Sequence, residues 1–183
     1  MNGGIDAWDG LVSRATVGQG MYLIEGDETV EEVMALAYGL EEGSRRFYQE
    51  LAERSELPEA RRLFETLRDA EIRHEDQLWE RYRALPGKPG ERRTFEENIV
   101  SRALEGGLSP DQLLTGHPGA VREYADSLDL AMALETDALD LYLRMAAAFD
   151  DAGIQSVFLE LAEEERGHLK KLGDLRGSRP FVL

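Results

Sequence analysis

The chain has 183 residues, no cysteine and a formal net charge of −16. The missing cysteine excludes disulfides, thiolate zinc sites, cysteine nucleophiles and iron–sulfur clusters within this chain. The acidic balance argues against nucleic acid as a partner, because phosphate binding needs clustered Lys and Arg. The length suits one domain with a short extra segment.

Residues 1–27 form an irregular, glycine-rich leader with Gly3, Gly4, Gly10, Gly18, Gly20 and Gly26 and no helical period. Met1 to Gly10 has neither a basic start nor an apolar run, so no signal peptide is expected there. No stretch reaches the length of a membrane span. The expectation is a cytoplasmic protein with no membrane and no nucleic-acid partner.

Thr29 followed by Glu32 is a capping-box pattern that predicts a helix running to about Arg54. Ala37, Leu40, Glu41, Ser44, Tyr48 and Leu51 share one face of it. Pro58 fits the first turn of a second helix, predicted to reach about Leu85. Its inner face reads Phe64, Leu67, Glu71, His74 and Leu78, and Pro86, Gly87, Pro89 and Gly90 end it.

Residues 91–119 make a long connection, with a short helix around Phe95 to Leu104. So long a crossover lets the helices on either side run parallel. A third long helix is predicted over about Val121 to Asp150, with Leu128, Ala131, Leu134, Glu135, Ala138, Tyr142 and Met145 inward. Asp151 and Gly153 lead into the fourth, about Ile154 to Leu175, with Phe158, Leu161, Glu165, His168 and Leu172 inward. His117, in the loop Thr115 to Gly119, is expected to be exposed and without a role.

The long helices repeat. Glu41, Tyr48, Glu71 and His74 recur as Glu135, Tyr142, Glu165 and His168, each 94 positions on. At the same offset Leu36, Ala37, Leu40, Ala52, Phe64, Leu67 and Leu78 recur as Leu130, Ala131, Leu134, Ala146, Phe158, Leu161 and Leu172. The first helix pair and the second therefore read as copies of one ancestor. The register also selects Glu165 over Glu163 and Glu164, and Glu41 over Glu42.

A lone Glu-x-x-His on a glutamate-rich helix is ordinarily a solvated face, and an inward tyrosine is ordinarily packing. Two copies in one register, all on apolar faces, point to metal. Glu and His three residues apart can reach one ion from one side of a helix. Unpaired buried carboxylates would each cost several kcal/mol. Four of them around two divalent cations balance in charge. Ligands of oxygen and nitrogen without thiolate suit iron or manganese, and also admit zinc.

With this doubled motif, Glu28 to Leu175 resembles the ferritin-like diiron domain of the rubrerythrin family. The resemblance implies an all-α, ferritin-like four-helix bundle with one long crossover, occupying residues 28–183 and holding two irons. It implies that Glu71 and Glu165 bridge the metals. Glu41 and His74 would complete one metal, and Glu135 and His168 the other. Tyr48 and Tyr142 would hydrogen-bond the ligand carboxylates and orient them. It further implies a homodimer, helix-swapped forms included.

Two departures limit the transfer. Peroxidase-type rubrerythrins carry an extra glutamate one turn after the third-helix ligand, where this chain has Ala138. Full-length members carry a four-cysteine electron-donor domain, so this chain must use an external electron donor. Separately, Gly3-Gly4-Ile5-Asp6-Ala7-Trp8 resembles the closing segment of rhodanese-like sulfurtransferase domains, which suggests a rhodanese-type partner. The expected activity is reduction of peroxide or dioxygen at a diiron site. The alternatives are an iron-handling module without turnover, or an accessory domain of a sulfurtransferase.

Overall fold

A computed structural model describes residues 28–87, 90–103, 114–115 and 117–178, with backbone only at 98 and 100–103. The leader and its rhodanese-like segment lie outside the described residues, as does most of the crossover after Ala103. The described helices are α1 (Val30–Arg54), α2 (Pro58–Arg83), α3 (Arg92–Ala103), α4 (Tyr124–Ala148) and α5 (Ala152–Gly177). No strand occurs among the described residues, and no described helix is long and apolar enough to cross a membrane.

The helix starts follow local chemistry. The Thr29 hydroxyl accepts from the Glu32 amide while Glu32 returns a bond to the Thr29 amide, which closes the capping box. Pro58 opens α2, where its missing N–H costs nothing. Asp151 caps α5 by accepting from the Ile154 amide at 2.9 Å. Gly87, at φ +80, supplies the left-handed residue in the turn after α2.

Helix α4 starts three residues later than the sequence predicts, and its end comes at Ala148. Val121 and Arg122 are turn residues, because the Arg122 and Glu123 amides both bond the Gly119 carbonyl at 2.8 Å. A Cβ on Gly119 would meet an Asp126 carboxylate oxygen at 1.8 Å, so any larger residue there would push that side chain aside. In the same turn His117 is half-buried rather than exposed, and its carbonyl accepts from Ala120.

The dominant packing is α1 on α2 and α4 on α5, with α2 against α4 and α1 against α5 joining the pairs. Two apolar clusters fill the ends of this bundle. One gathers Val33 and Ala37 of α1, Leu78 of α2, Met145 of α4 and Phe158 of α5. The other gathers Leu51 of α1, Phe64 of α2, Leu128 of α4 and Leu172 of α5. The start of α1 thus lies with the end of α2, the end of α4 and the start of α5. Helices α1 and α5 are parallel to each other and antiparallel to α2 and α4, the topology that one long crossover produces. Helix α3 lies on α1 and inserts Phe95 among Tyr38, Trp79 and Tyr82.

Candidate metal centre

Between the two apolar ends lies a buried polar layer. Each long helix delivers to it at mid-length: Glu41 from α1, Glu71 and His74 from α2, Glu135 from α4, Glu165 and His168 from α5. All six are buried. Their neighbours in the acidic runs are not: Glu163 is exposed, and Glu42 and Glu164 are half-buried. The helical phase read from the repeat therefore selects the residues that point inward.

Two sets of four ligand-type residues gather with their candidate atoms within 4.8 Å of one another. One is Glu41, Glu71, His74 and Glu165; the other is Glu71, Glu135, Glu165 and His168. Glu71 and Glu165 belong to both. The His74 Nδ1 lies 2.9 Å from Glu41 and the His168 Nδ1 lies 2.9 Å from Glu135. The two imidazoles stack, with centroids 5.2 Å apart and planes 11° from parallel.

The tyrosines cross between the halves. Tyr48 of α1 donates to Glu135 of α4, and Tyr142 of α4 donates to Glu41 of α1. Each occupies one oxygen of a carboxylate whose other oxygen faces a histidine. Burial and the neighbouring carboxylates push both phenols well above their ordinary pKa, so they stay neutral donors.

Crowding sorts the four carboxyls into two kinds. Burial, then the charge and hydrogen bonds of neighbouring carboxylates, raises Glu71 and Glu165 well above the usual carboxylate range. Burial also acts on Glu41, but hydrogen bonds from His74, Glu71 and Tyr142 outweigh it and hold that carboxyl low. Glu135 is held low against burial by Glu165, His168 and Tyr48. For His74, burial disfavours the charged ring, yet Glu41 and the surrounding acids raise its pKa overall. The two shared glutamates are thus the carboxyls of the centre that hold a proton most readily.

Glu71 carries a defect that fits a cation. Glu71 Oε2 is buried and makes no hydrogen bond, although His74 Nδ1 lies 3.0 Å away, because that nitrogen is directed to Glu41. An orphaned buried carboxylate oxygen is costly and rare. Here it sits in the middle of the donor set, where a divalent ion would satisfy it. The donors, carboxylate oxygen and imidazole nitrogen, suit iron and equally admit manganese or zinc.

Ala138 is half-buried against the apolar core and offers no oxygen to the centre. The sequence reading missed a contact outside the six candidate residues: Glu164 Oε2 lies 2.9 Å from His74 Nε2. The repeat held the signal, since the position equivalent to Glu164 is Ala70. It also missed Glu75, buried beside His74 and held by Arg45 at 2.7 Å. Burial raises the Glu75 carboxyl pKa, against the pull of Arg45.

Comparison with known proteins agrees with this geometry. The rubrerythrin family model matches residues 18–101, which take in α1, α2 and nearly all of α3. No curated protein and no solved structure matches the chain. Over residues 18–101 the chain is thus similar to the rubrerythrin family, and the described helices form an all-α, ferritin-like bundle.

Proposed function

We propose that this protein is a carboxylate-bridged diiron oxidoreductase that reduces peroxide or dioxygen with electrons from a separate donor. The observation that carries the reading is the membership of Glu71 and Glu165 in both ligand sets, with an oxygen of Glu71 left unsatisfied between them. In this reading Glu71 and Glu165 would be held in common by the two ions. Glu41 and His74 complete one metal, and Glu135 and His168 the other.

Bound iron would supply one electron per ion, the two that cleavage of an O–O bond requires, and would stabilise charge on the oxygens. The chain supplies the rest. Tyr48 and Tyr142 fix the rotamers of Glu135 and Glu41, so those ligands need not reorganise on loading. The apolar ends exclude water from the layer. Reduction of peroxide to two waters takes up two protons and two electrons. The chain has no cysteine, so no thiolate-bound iron centre within these 183 residues supplies the electrons.

The test is stopped-flow oxidation of anaerobically loaded ferrous protein by peroxide and by dioxygen. Oxidation much faster than that of free ferrous ion supports the reading; oxidation at the free-ion rate removes it. A second reading, carried by the same ligand-type set, is an iron-handling module without turnover. That reading gains if one oxidation occurs and no reductant restores the ferrous state.

A further inference from the structure

The centre has near two-fold symmetry in its six ligands and loses it one atom further out. Both histidines turn Nδ1 inward, to Glu41 and to Glu135. Beyond His74, the Nε2 meets Glu164 Oε2 at 2.9 Å. Glu164 reaches across from α5 at the edge of a surface recess lined by Gln77, Leu78, Arg81 and Leu161, and its side chain is 36 % exposed. The repeat places Ala70 where a counterpart would approach His168; it is 3 % exposed and has no side-chain oxygen.

The consequence follows from imidazole chemistry. A neutral ring carries one proton, and the nitrogen without it holds the lone pair that a cation needs. A carboxylate that accepts from Nε2–H keeps a proton on that nitrogen, so a cation at Nδ1 need displace only the proton directed to Glu41; it also locks the ring plane and makes Nδ1 a better donor once that proton is gone. Glu164 can do this for His74, and Ala70 cannot do it for His168. We propose that Glu164 is a positioning residue that makes the two metal positions unequal. A first divalent cation then enters the Glu41–Glu71–His74–Glu165 set, and a second enters the set containing Glu135 and His168. This inference rests on the two-metal reading above.

The experiment is a zinc titration of the metal-free protein. Zinc is diamagnetic, so the imidazole nitrogen and carbon resonances of both histidines can be followed by NMR while calorimetry counts the ions. In the unaltered chain, the His74 signals should shift during the first equivalent and those of His168 during the second. Glu164→Ala should weaken the first step by about 10- to 100-fold, the usual cost of losing such a partner, and merge the two steps at an unchanged total of two ions. Glu164→Gln retains an oxygen acceptor and should restore the order.

Simultaneous loading in the unaltered chain, His168 loading first, or an order indifferent to Glu164→Ala in the folded variant would each overturn the proposal. Should Glu164→Ala fail to fold, the loading order of the unaltered chain still decides the matter. A total of two ions with the wrong order would sink only the role of Glu164. A total other than two, or no shift at either histidine, would sink the two-metal reading and this inference with it.

Discussion

The pair α1–α2 and the pair α4–α5 descend from one pattern, and the way they differ shows which part of the pattern is constrained. At the centre they agree: Glu41, Tyr48, Glu71 and His74 answer to Glu135, Tyr142, Glu165 and His168. Around it they diverge. Tyr38, Arg45, Glu75 and Trp79 of the first pair stand where the second has Met132, Leu139, Leu169 and Gly173. Those four residues of the first pair face α3 or belong to the polar network beneath it. Trp79 and Tyr38 pack on Phe95, Arg45 holds Glu75, and Arg92 of α3 approaches both Glu75 and Tyr38. The first pair has therefore been adapted to carry a fifth helix. The buried carboxylate–histidine layer has no such freedom, because losing any one member would strand buried charge on the others.

The largest test of this equivalence is removal of a shared ligand. Glu71→Ala and Glu165→Ala should each abolish tight binding of the metal pair and leave the helices formed. Metal analysis and circular dichroism check both. Two ions per chain retained in either variant would break the equivalence of the halves.

Metal removal comes next. A cation held only by the folded state stabilises it by about 3–4 kcal/mol when present at 100 to 1,000 times its Kd. Stripped protein should melt at a distinctly lower temperature by calorimetry. An unchanged Tm would place the ions outside the buried layer.

The protonation pattern gives a pH dependence whose sign can be fixed. Glu71 and Glu165 have raised pKa values in the metal-free fold. Their contribution is complete below the ordinary carboxylate pKa and is lost as pH rises through the folded-state values. His74, also raised, loses its contribution in the same direction, above the ordinary histidine range. Glu41 and Glu135 are lowered, and their contribution is lost only as acid carries the pH below the usual carboxylate range. Metal-free protein should melt lower at pH 8 than at pH 6. The double variant Glu71→Gln, Glu165→Gln should flatten that slope. Loading displaces the same protons, so metal affinity should rise with pH.

Smaller effects sharpen the comparison. Tyr48→Phe and Tyr142→Phe each remove a hydrogen bond to a buried carboxylate, worth about 1.5–3 kcal/mol. If the halves are equivalent here, the two losses in denaturant melts should match. Arg92→Ala should cost less, about 1 kcal/mol, because its ion pairs to Asp76 and Glu96 are partly exposed. That loss should be accompanied by faster amide exchange in α3 and none in α4 or α5.

Much of this molecule was legible because helical period and duplication reinforce each other. The 94-residue offset supplied a phase for each long helix, and burial agrees with it at Glu41, Glu71, Glu135 and Glu165 against exposed Glu163. The start of α4 was not legible, because Val121 fits the apolar pattern while the backbone there is committed to the turn at Gly119. The role of α3 was also hidden. Its partners Tyr38, Trp79 and Tyr82 come from two helices, and no local pattern joins them to Phe95.

The sequence by itself determined the all-α class, the four long helices and the six inward ligand-type residues, since a 3.6-residue period fixes which way each side chain leaves its own helix. Only the tertiary structure decided who meets whom across the bundle. It joined Tyr48 to Glu135 and Tyr142 to Glu41, left an oxygen of Glu71 without a partner, and brought Glu164 to His74 alone. Period carries no information about the neighbouring helix. That information lies in the antiparallel set of α1 against α4 and the apolar packing at both ends that holds it.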